Sequence, residues 1–208
     1  MTLPSLSPIA TRMMAVTAGH PIRVGIDGFC ASGKTTLADA LALELRVAGC
    51  DVIRVCADDF QNPPEVRWQL GRRSPDGFLR YSIDFSSLRT LLLEPLGPGG
   101  SRNFRSSCYD VHASRPNLSI EQKASDTAVL LLDGLFLHAP ALEHCFDFTI
   151  FVAAEFETCL RRALARNQER SDDLTELEAV YREKYIPGFE LYCREVAPRE
   201  RASAVVTT

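Results

Sequence analysis

The octapeptide Gly28-Phe29-Cys30-Ala31-Ser32-Gly33-Lys34-Thr35 fits the pattern G-x-x-x-x-G-K-S/T of a phosphate-binding loop. Glycines allow such a loop to curl so that consecutive N–H groups point inward, and the following helix adds its positive N-terminal end. Lys34 then brings a compact, mobile charge to the outer phosphates, and Thr35 offers a hydroxyl to Mg²⁺. We expect a nucleotide to be bound by Gly28, Cys30, Ala31, Ser32, Gly33, Lys34, Thr35 and Thr36.

The segments on either side of this loop support the interpretation. Ile22–Ile26 is a short run typical of a β-strand, and from Lys34 the apolar residues recur at the three- and four-residue spacings of a helix that ends near Gly49. The alternative is a glycine-rich turn with an exposed lysine, which requires neither a strand before it nor a helix after it. The motif and its context together indicate a nucleotide-binding loop.

The rest of the chain alternates strands with helices. Further strands are predicted at Asp51–Ala57, Val129–Leu132, Phe148–Ala153 and Ala204–Val206. Further helices are predicted at Phe85–Leu93, Glu155–Asn167 and Leu174–Cys193. Continuous apolar strands between helices are typical of a parallel sheet that is covered on both faces. We therefore predict an α/β fold of the P-loop NTPase type, with about five parallel strands, helices on both faces and a small lid.

The domain organisation follows from the same pattern. Residues 1–20 are expected to be a loose N-terminal segment, and 21–208 a single domain. Residues 61–80 are rich in Pro, Gly and Arg and are predicted to form a loop or irregular insertion, whereas 101–127 are polar and ambiguous. In a parallel sheet the ligand binds beyond the carboxyl ends of the strands, so the functional residues are expected there.

Composition excludes several classes of protein. The 208 residues carry 23 basic and 27 acidic side chains, a net charge of −4 that does not fit a polycationic nucleic-acid coat. The basic residues are 20 Arg and only three Lys. Because arginine is so common in this chain, a single arginine says little about function, whereas a lysine is more notable. The three lysines are Lys34, Lys123 and Lys184.

The cysteines and the hydropathy pattern indicate a cytoplasmic protein. Seven cysteines are scattered along the chain with no C-x-x-C pair, which favours free thiols in a reducing compartment over disulfides or a zinc site. The N-terminal residues contain no apolar stretch long enough for a signal peptide. No stretch approaches the roughly 18 apolar residues of a membrane span, so no membrane association is expected.

Two carboxylates close the second predicted strand. Successive side chains of an extended strand point in opposite directions, so we expect one of Asp58 and Asp59 to face the site and the other to face away. A carboxylate at that position can orient and deprotonate an attacking hydroxyl during phosphoryl transfer. The alternative is a helix N-cap or turn pair, which aspartate also favours.

A third carboxylate, Asp133, follows four apolar residues at the end of the third predicted strand. An acid at this position beside a phosphate loop can hold Mg²⁺ directly or through water, and we predict a metal site formed by Thr35 and Asp133. The alternative is an ordinary Asp-Gly turn with Gly134.

Arginines recur every fourth residue near the end of a predicted helix, at Arg162, Arg166 and Arg170, and therefore share a face if the helix extends that far. Arginines on a mobile lid can stabilise the charge that develops on a transferring phosphoryl group. The alternative is a solvated face on which Glu169 pairs with Arg166.

These motifs make the chain resemble the uridine kinase and phosphoribulokinase family of P-loop kinases. The resemblance is weak from Gln61 to Ser107. It is strong at Gly28–Thr36, Asp58-Asp59-Phe60, Leu132-Asp133-Gly134, Phe148–Asn167 and Tyr185–Tyr192. It implies an ATP- and Mg²⁺-dependent kinase that phosphorylates a hydroxyl of a small molecule, with Lys34 acting on the phosphates.

Several roles follow from the resemblance residue by residue. Asp58 matches the general base of the family, and Arg162 and Arg166 match its lid arginines, in a lid at about 161–173. The segments at about 61–80 and 101–127 match its substrate loops. Within the second of these, Tyr109 and His112 resemble residues that contact a nucleoside base.

Departures from the family pattern concern the acceptor. The Tyr109–Arg115 segment is one residue shorter than in nucleoside kinases, and the Phe-Asp-His-Pro stretch that holds the ribose has no clean counterpart, with Asp76 the nearest match. A uridine- or cytidine-like nucleoside is the first hypothesis for the acceptor. A sugar, a sugar phosphate or a vitamin alcohol is the alternative, and a regulatory P-loop ATPase is a second one. The oligomeric state stays open, a homo-oligomer included.

Overall fold

The structure, a computed structural model, describes residues 7–110, 113–168 and 173–208. The strands are β1 (Ile22–Gly28), β2 (Val52–Cys56), β3 (Asn103–Phe104), β4 (Tyr109–Asp110), β5 (Arg115–Pro116), β6 (Gln122–Lys123), β7 (Val129–Gly134), β8 (Phe148–Ala153) and β9 (Ala204–Thr207). Five of them form one parallel sheet in the order β2-β7-β1-β8-β9, and the four short ones pair as two antiparallel ribbons, β3 with β6 and β4 with β5. The predicted α/β fold with about five parallel strands is confirmed.

Helices cover both faces of the sheet. They are α1 (Ser7–Met14), α2 (Lys34–Val47), α3 (Pro64–Arg67), α4 (Pro75–Tyr81), α5 (Phe85–Leu88), α6 (Phe156–Asn167), α7 (Leu174–Val180), α8 (Ile186–Val196) and α9 (Pro198–Arg201). A π-helical turn, Arg89–Leu93, extends α5, and a second one, Tyr181–Tyr185, joins α7 to α8. The predicted helices over 85–93 and 174–193 are thus present as continuous helical segments that each contain a π turn.

The apolar run of β7 explains why both faces are covered. Along this strand Leu131 packs into a cluster with Leu37 and Leu41 of α2. Its neighbours Leu130 and Leu132 point to the opposite face and pack into a second cluster. Every residue of β7 is buried, so the strand is stable only between two layers of helices.

Two expectations for irregular segments were wrong. Residues 7–14 of the N-terminal segment form α1, whose Met13 is buried in the core cluster on the α2 face. Within 61–80, α3 and α4 replace the predicted loop. Proline is compatible with the first turn of a helix, where its missing N–H would have no intrahelical partner, and both short helices begin with proline. The hydroxyl of Ser74 also caps α4 by accepting the N–H of Gly77 at 3.0 Å.

The segment predicted as a lid lies partly on α6, which continues unbroken to Asn167. Residues 169–172, and with them Arg170, lie outside the described residues. Among the residues that the structure describes, none of the helices has the combination of length and apolar composition that a membrane span requires.

A buried ion pair fastens the amino ends of β1 and β8. Asp147 accepts hydrogen bonds from Arg23 Nε at 3.1 Å, from Arg23 Nη2 at 3.0 Å and from the Arg23 backbone N–H at 2.7 Å. Both side chains are largely removed from solvent. Loss of one partner would leave the other charge buried without compensation, which costs much more than the loss of a surface pair.

We expect Asp147→Ala to lower the free energy of unfolding by about 3 kcal/mol, because it strands the Arg23 guanidinium. Urea denaturation followed by circular dichroism measures this change. Asp126→Ala is the matched control, because the Asp126 carboxylate is 85% exposed in its pair with Arg102, and a loss below about 1 kcal/mol is expected there. Equal losses in the two variants would contradict the structural role of the buried pair.

Candidate active site

The phosphate-binding loop connects β1 to α2 at the carboxyl edge of the sheet. Gly28 has φ +151°, and a Cβ atom there would lie 2.6 Å from the carbonyl oxygen of Val152 on β8. Only glycine therefore fits the turn from β1 into the loop. The first N–H groups of α2 have no intrahelical acceptors and open onto the loop, an arrangement suited to binding phosphate oxygens.

Lys34 lies inside the curl of the loop. It is 8% exposed, and its Nζ donates to the carbonyl oxygen of Phe29 at 2.7 Å. Burial raises the pKa of the neighbouring Cys30 thiol to about 11, against the opposing effect of the Lys34 charge. The thiol is therefore neutral near pH 7, and it adds no negative charge where phosphates would bind.

Thr35 and Asp133 meet at the carboxyl end of β7. Asp133 is 1% exposed, and its Oδ2 accepts the hydroxyl of Thr35 at 2.7 Å. Arg54 of β2 places Nη1 2.6 Å from Oδ1 and Nε 2.9 Å from Asp39. Arg54 thus forms an ion pair with Oδ1, and no other described residue donates to that oxygen.

This arrangement fits a magnesium ion. A buried carboxylate and a hydroxyl oxygen lie side by side next to the phosphate loop, and Mg²⁺ prefers oxygen ligands supplied in part by the substrate phosphates. Arg54 was missed in the sequence analysis. The available signal was a basic residue within the apolar run of β2, which predicts a buried partner for that charge.

Asp58 and Asp59 do not lie on an extended strand, so the expectation that they point to opposite faces was wrong. The strand ends at Cys56, and Ala57–Phe60 form a 3-10 turn. This turn packs tightly over the end of β7, where a Cβ atom on Gly134 would lie 2.4 Å from that of Ala57. Both carboxylates are exposed beside the site as a result.

The two carboxylates have different neighbours. Asp58 Oδ1 accepts the side-chain amide of Gln61 at 3.2 Å, and its charge raises the pKa of Cys30 in the phosphate loop. Partial burial, followed by the charges of Asp58, Asp133 and Asp110, raises the pKa of Asp59. Asp58 is therefore near the phosphate loop, and Asp59 lies within a group of carboxylates.

Of the predicted lid arginines, Arg162 reaches the phosphate loop. Its Nη1 donates to the hydroxyl of Thr208 at 3.1 Å and approaches the Ser32 carbonyl oxygen at 3.4 Å. Arg166 lies one turn further along α6 and is exposed. Both arginines lie on α6, one turn apart, and of the two it is Arg162 that contacts the phosphate loop.

Of the residues predicted to contact the acceptor, the structure describes Tyr109 but not His112. Tyr109 is buried, and its hydroxyl lies 3.2 Å from that of Ser114. The segment reaches the site because the Cys108 N–H donates to the Asp59 carbonyl oxygen at 3.0 Å. His112 lies outside the described residues. Asp76 is in the first turn of α4, with its Oδ1 3.4 Å from Arg80 Nε.

Sequence reasoning also missed a polar network beneath the phosphate loop. Asp27 is fully buried, and its Oδ1 accepts the N–H of Gly28 at 2.7 Å. Its Oδ2 accepts the Tyr192 hydroxyl at 2.5 Å and lies 2.9 Å from His138 Nδ1. Burial and the Asp27 charge raise the pKa of Tyr192, which keeps its proton for this bond. The network ties the start of the loop to α8.

Comparisons with known proteins agree with this geometry. Residues 23–206 match the model of the phosphoribulokinase/uridine kinase family. A uridine kinase of Klebsiella pneumoniae is 29% identical over 170 residues, covering 80% of this chain and 78% of the relative. Uridine-cytidine kinase B of Dictyostelium discoideum is 26% identical over 194 residues, covering 90% and 74%.

A solved structure described as a possible uridine kinase from Bacillus stearothermophilus superposes with a TM-score of 0.74 at 20% identity, covering 97% of this chain and 96% of that one. This likeness supports the fold. The family match spans almost the whole chain, and the relatives that carry an activity in their names are kinases. The chain therefore belongs to the phosphoribulokinase/uridine kinase family and is an ATP-dependent kinase that acts on a small hydroxyl-bearing substrate.

Proposed function

We propose that the protein transfers the γ-phosphoryl group of ATP to a hydroxyl of a small molecule bound beside Asp58. The observation that carries the proposal is the position of the Asp58 turn. This turn packs over the end of β7, so that the Asp58 carboxylate lies beside the Thr35–Asp133 pair and the phosphate loop. Donor and acceptor groups bound at this edge would meet without any large rearrangement.

Each residue of the site would have its own role in phosphoryl transfer. Asp58 accepts the proton of the attacking hydroxyl while the new O–P bond forms and the bond from Pγ to the β,γ-bridging oxygen breaks. Lys34 exchanges its bond to the Phe29 carbonyl for phosphate oxygens, and the α2 N-terminus holds the same group through its free N–H groups. Mg²⁺ held by Thr35 and Asp133 would withdraw negative charge from the phosphates.

Arg162 and Arg166 would stabilise charge on the transferring group from the α6 side. Arg162 is held at the rim of the loop through Thr208 and Ser32, so a short side-chain movement brings its guanidinium to the phosphates. Arg166 is exposed one turn further along α6, and it would act as a second cation toward the transferring group.

A nucleoside is the first candidate for the acceptor, because the curated relatives are uridine and uridine-cytidine kinases. Tyr109 and His112 would contact its base. Asp76, the nearest match to the ribose-binding aspartate of nucleoside kinases, contacts Arg80. A sugar, a sugar phosphate or a vitamin alcohol is the second candidate. Buried cations near Asp58 favour an acceptor of this kind that carries negative charge.

We expect Asp58→Asn to lower kcat by about 10³-fold, because the amide cannot accept the hydroxyl proton. The KM for ATP should stay within about threefold, since Asp58 does not hold the phosphates. The test is a screen of nucleosides, sugars and sugar phosphates, followed by ADP release and by mass detection of the product. Asp59→Asn is the matched control from the same turn, and a larger loss there would assign the base to Asp59.

Lys34→Arg should abolish transfer although it preserves the charge. The loop encloses a compact ammonium group on a flexible stem, and a planar guanidinium does not fit the space inside the curl. Product formation from the best acceptor measures the effect, with Lys123→Arg on the exposed β6 as the control. Near-normal turnover of Lys34→Arg with an unchanged melting temperature would contradict the proposed role of the loop.

A further inference from the structure

Lys184 is a largely buried cation. It lies in the π-helical turn Tyr181–Tyr185 and is 9% exposed. Its Nζ lies 5.5 Å from the ring centre of Tyr185 and 6.0 Å from that of Phe78 on α4. Within residues 7–110, 113–168 and 173–208, no carboxylate forms an ion pair with it. Helical turns of the π type occur often at functional sites.

The charge of Arg67 acts on Lys184, and hydrogen bonds through Gln61 link Arg67 to Asp58. Its Nη1 donates to the side-chain oxygen of Gln61 at 2.6 Å, and the amide nitrogen of Gln61 donates to Asp58 at 3.2 Å. The Nε of Arg67 is buried, and no described residue accepts its hydrogen. Arg67 also has no ion pair in the described part of the chain, so two uncompensated cations lie on the acceptor side of Asp58.

The surroundings of Lys184 are strongly positive. Burial lowers its pKa, and the charges of Arg67 and Arg73 lower it further. Arg73 is compensated by Glu176 at 2.7 Å and by Glu183 at 2.9 Å, and these three side chains are exposed. The aromatic rings of Phe78 and Tyr185 attract the ammonium group, and its Nζ, which bonds no described residue, keeps contact with solvent and can be reached by a ligand.

Other buried cations of the fold have partners. Arg23 pairs with Asp147, and the partly buried Arg54 pairs with Asp133. The phosphate-loop lysine bonds a backbone carbonyl oxygen in a loop that is built for an anion. A lysine that lies among rings and beside a second cation, with no ion pair in the described part of the chain, is suited to binding an anion.

We propose that Lys184 and Arg67 bind an anionic group, a carboxylate or a phosphate, on the acceptor whose hydroxyl faces Asp58. The inference rests on the proposed function and defines the acceptor class. The acceptor is a hydroxyl compound that carries a negative charge at some distance from the reacting oxygen, whether its body is a sugar, a vitamin alcohol or a nucleoside. Charge-assisted hydrogen bonds from Lys184 Nζ and Arg67 Nε would hold it.

The first test compares acceptors in pairs that differ only in the anionic group: fructose with fructose 6-phosphate, glycerol with glycerate, pantothenol with pantothenate, and uridine with orotidine. At saturating MgATP we expect the preferred acceptor to be an anionic member, with kcat/KM at least 100-fold above that of its neutral partner. The phosphate and carboxylate pairs identify which anion is bound. Preference for a neutral member would overturn the inference while leaving the kinase function intact.

The second test uses Lys184→Met, which keeps the length of the side chain and removes the charge. We expect the KM of the anionic acceptor to rise at least tenfold, while the KM for ATP stays within twofold and Lys184→Arg restores part of the loss. Lys123→Met is the matched control on the exposed β6. An equal effect on both members of an acceptor pair would contradict the inference.

A binding measurement decides the inference even if no acceptor is phosphorylated, a result that would refute the proposed function. Inorganic phosphate is titrated by calorimetry into protein saturated with Mg²⁺ and a non-hydrolysable ATP analogue, so that the phosphate loop is already filled. We expect Lys184→Met and Arg67→Met each to weaken phosphate binding at least fivefold, and Lys123→Met to leave it unchanged. Absence of binding, or binding that is equal in all the variants, would overturn the inference.

Discussion

The turn from β1 into the phosphate loop depends on the contact of Gly28 with the backbone of β8, where no side chain fits. Because β1 lies between β7 and β8 in the sheet, this turn brings the loop to the end of β7, where Asp133 accepts the Thr35 hydroxyl. Asp27 fixes the same turn from below through the Gly28 N–H and ties it to Tyr192. Each of the other site residues is positioned relative to this constraint.

The treatment of buried charge differs between the two ends of the sheet. At the amino ends of the strands, Arg23 and Asp147 neutralise each other and make several hydrogen bonds, which is how a charge is accommodated when its role is structural. At the other end, Asp133 pairs with Arg54, whereas Lys184 and Arg67 have no counter-ion among the described residues. A fold that leaves such groups incompletely satisfied at one edge gives up stability there, and it gains affinity for ligands that supply the missing partners.

The parts of the molecule that the sequence predicts well are those built from contiguous residues. The loop from Gly28 to Thr35 carries its own geometry, and the apolar run of β7 can be stable only between two helical layers. The 3-10 turn at Asp58 and Asp59 could not be predicted, since it is set by packing of Ala57 on Gly134, 77 residues away along the chain. The helix α1 is stable for the same reason, because Met13 packs on a distant cluster and offsets weak local preference.

The ATP side and the acceptor side of the site differ in how far contiguous residues define them. This difference explains why the family resemblance identifies the reaction more sharply than the acceptor. The half that would bind ATP comes from one local motif and the end of one strand. The half beside Asp58 is assembled from Gln61, Arg67, Phe78 and the π turn that carries Lys184, segments brought together only by tertiary packing. Substitutions in these segments leave the phosphate loop intact, so relatives of this fold can keep the transfer chemistry while the charge of the acceptor pocket changes. The scarcity of lysine in the chain made Lys184 conspicuous, but its burial beside Arg67 depends on packing between α4 and the π turn that no local pattern encodes.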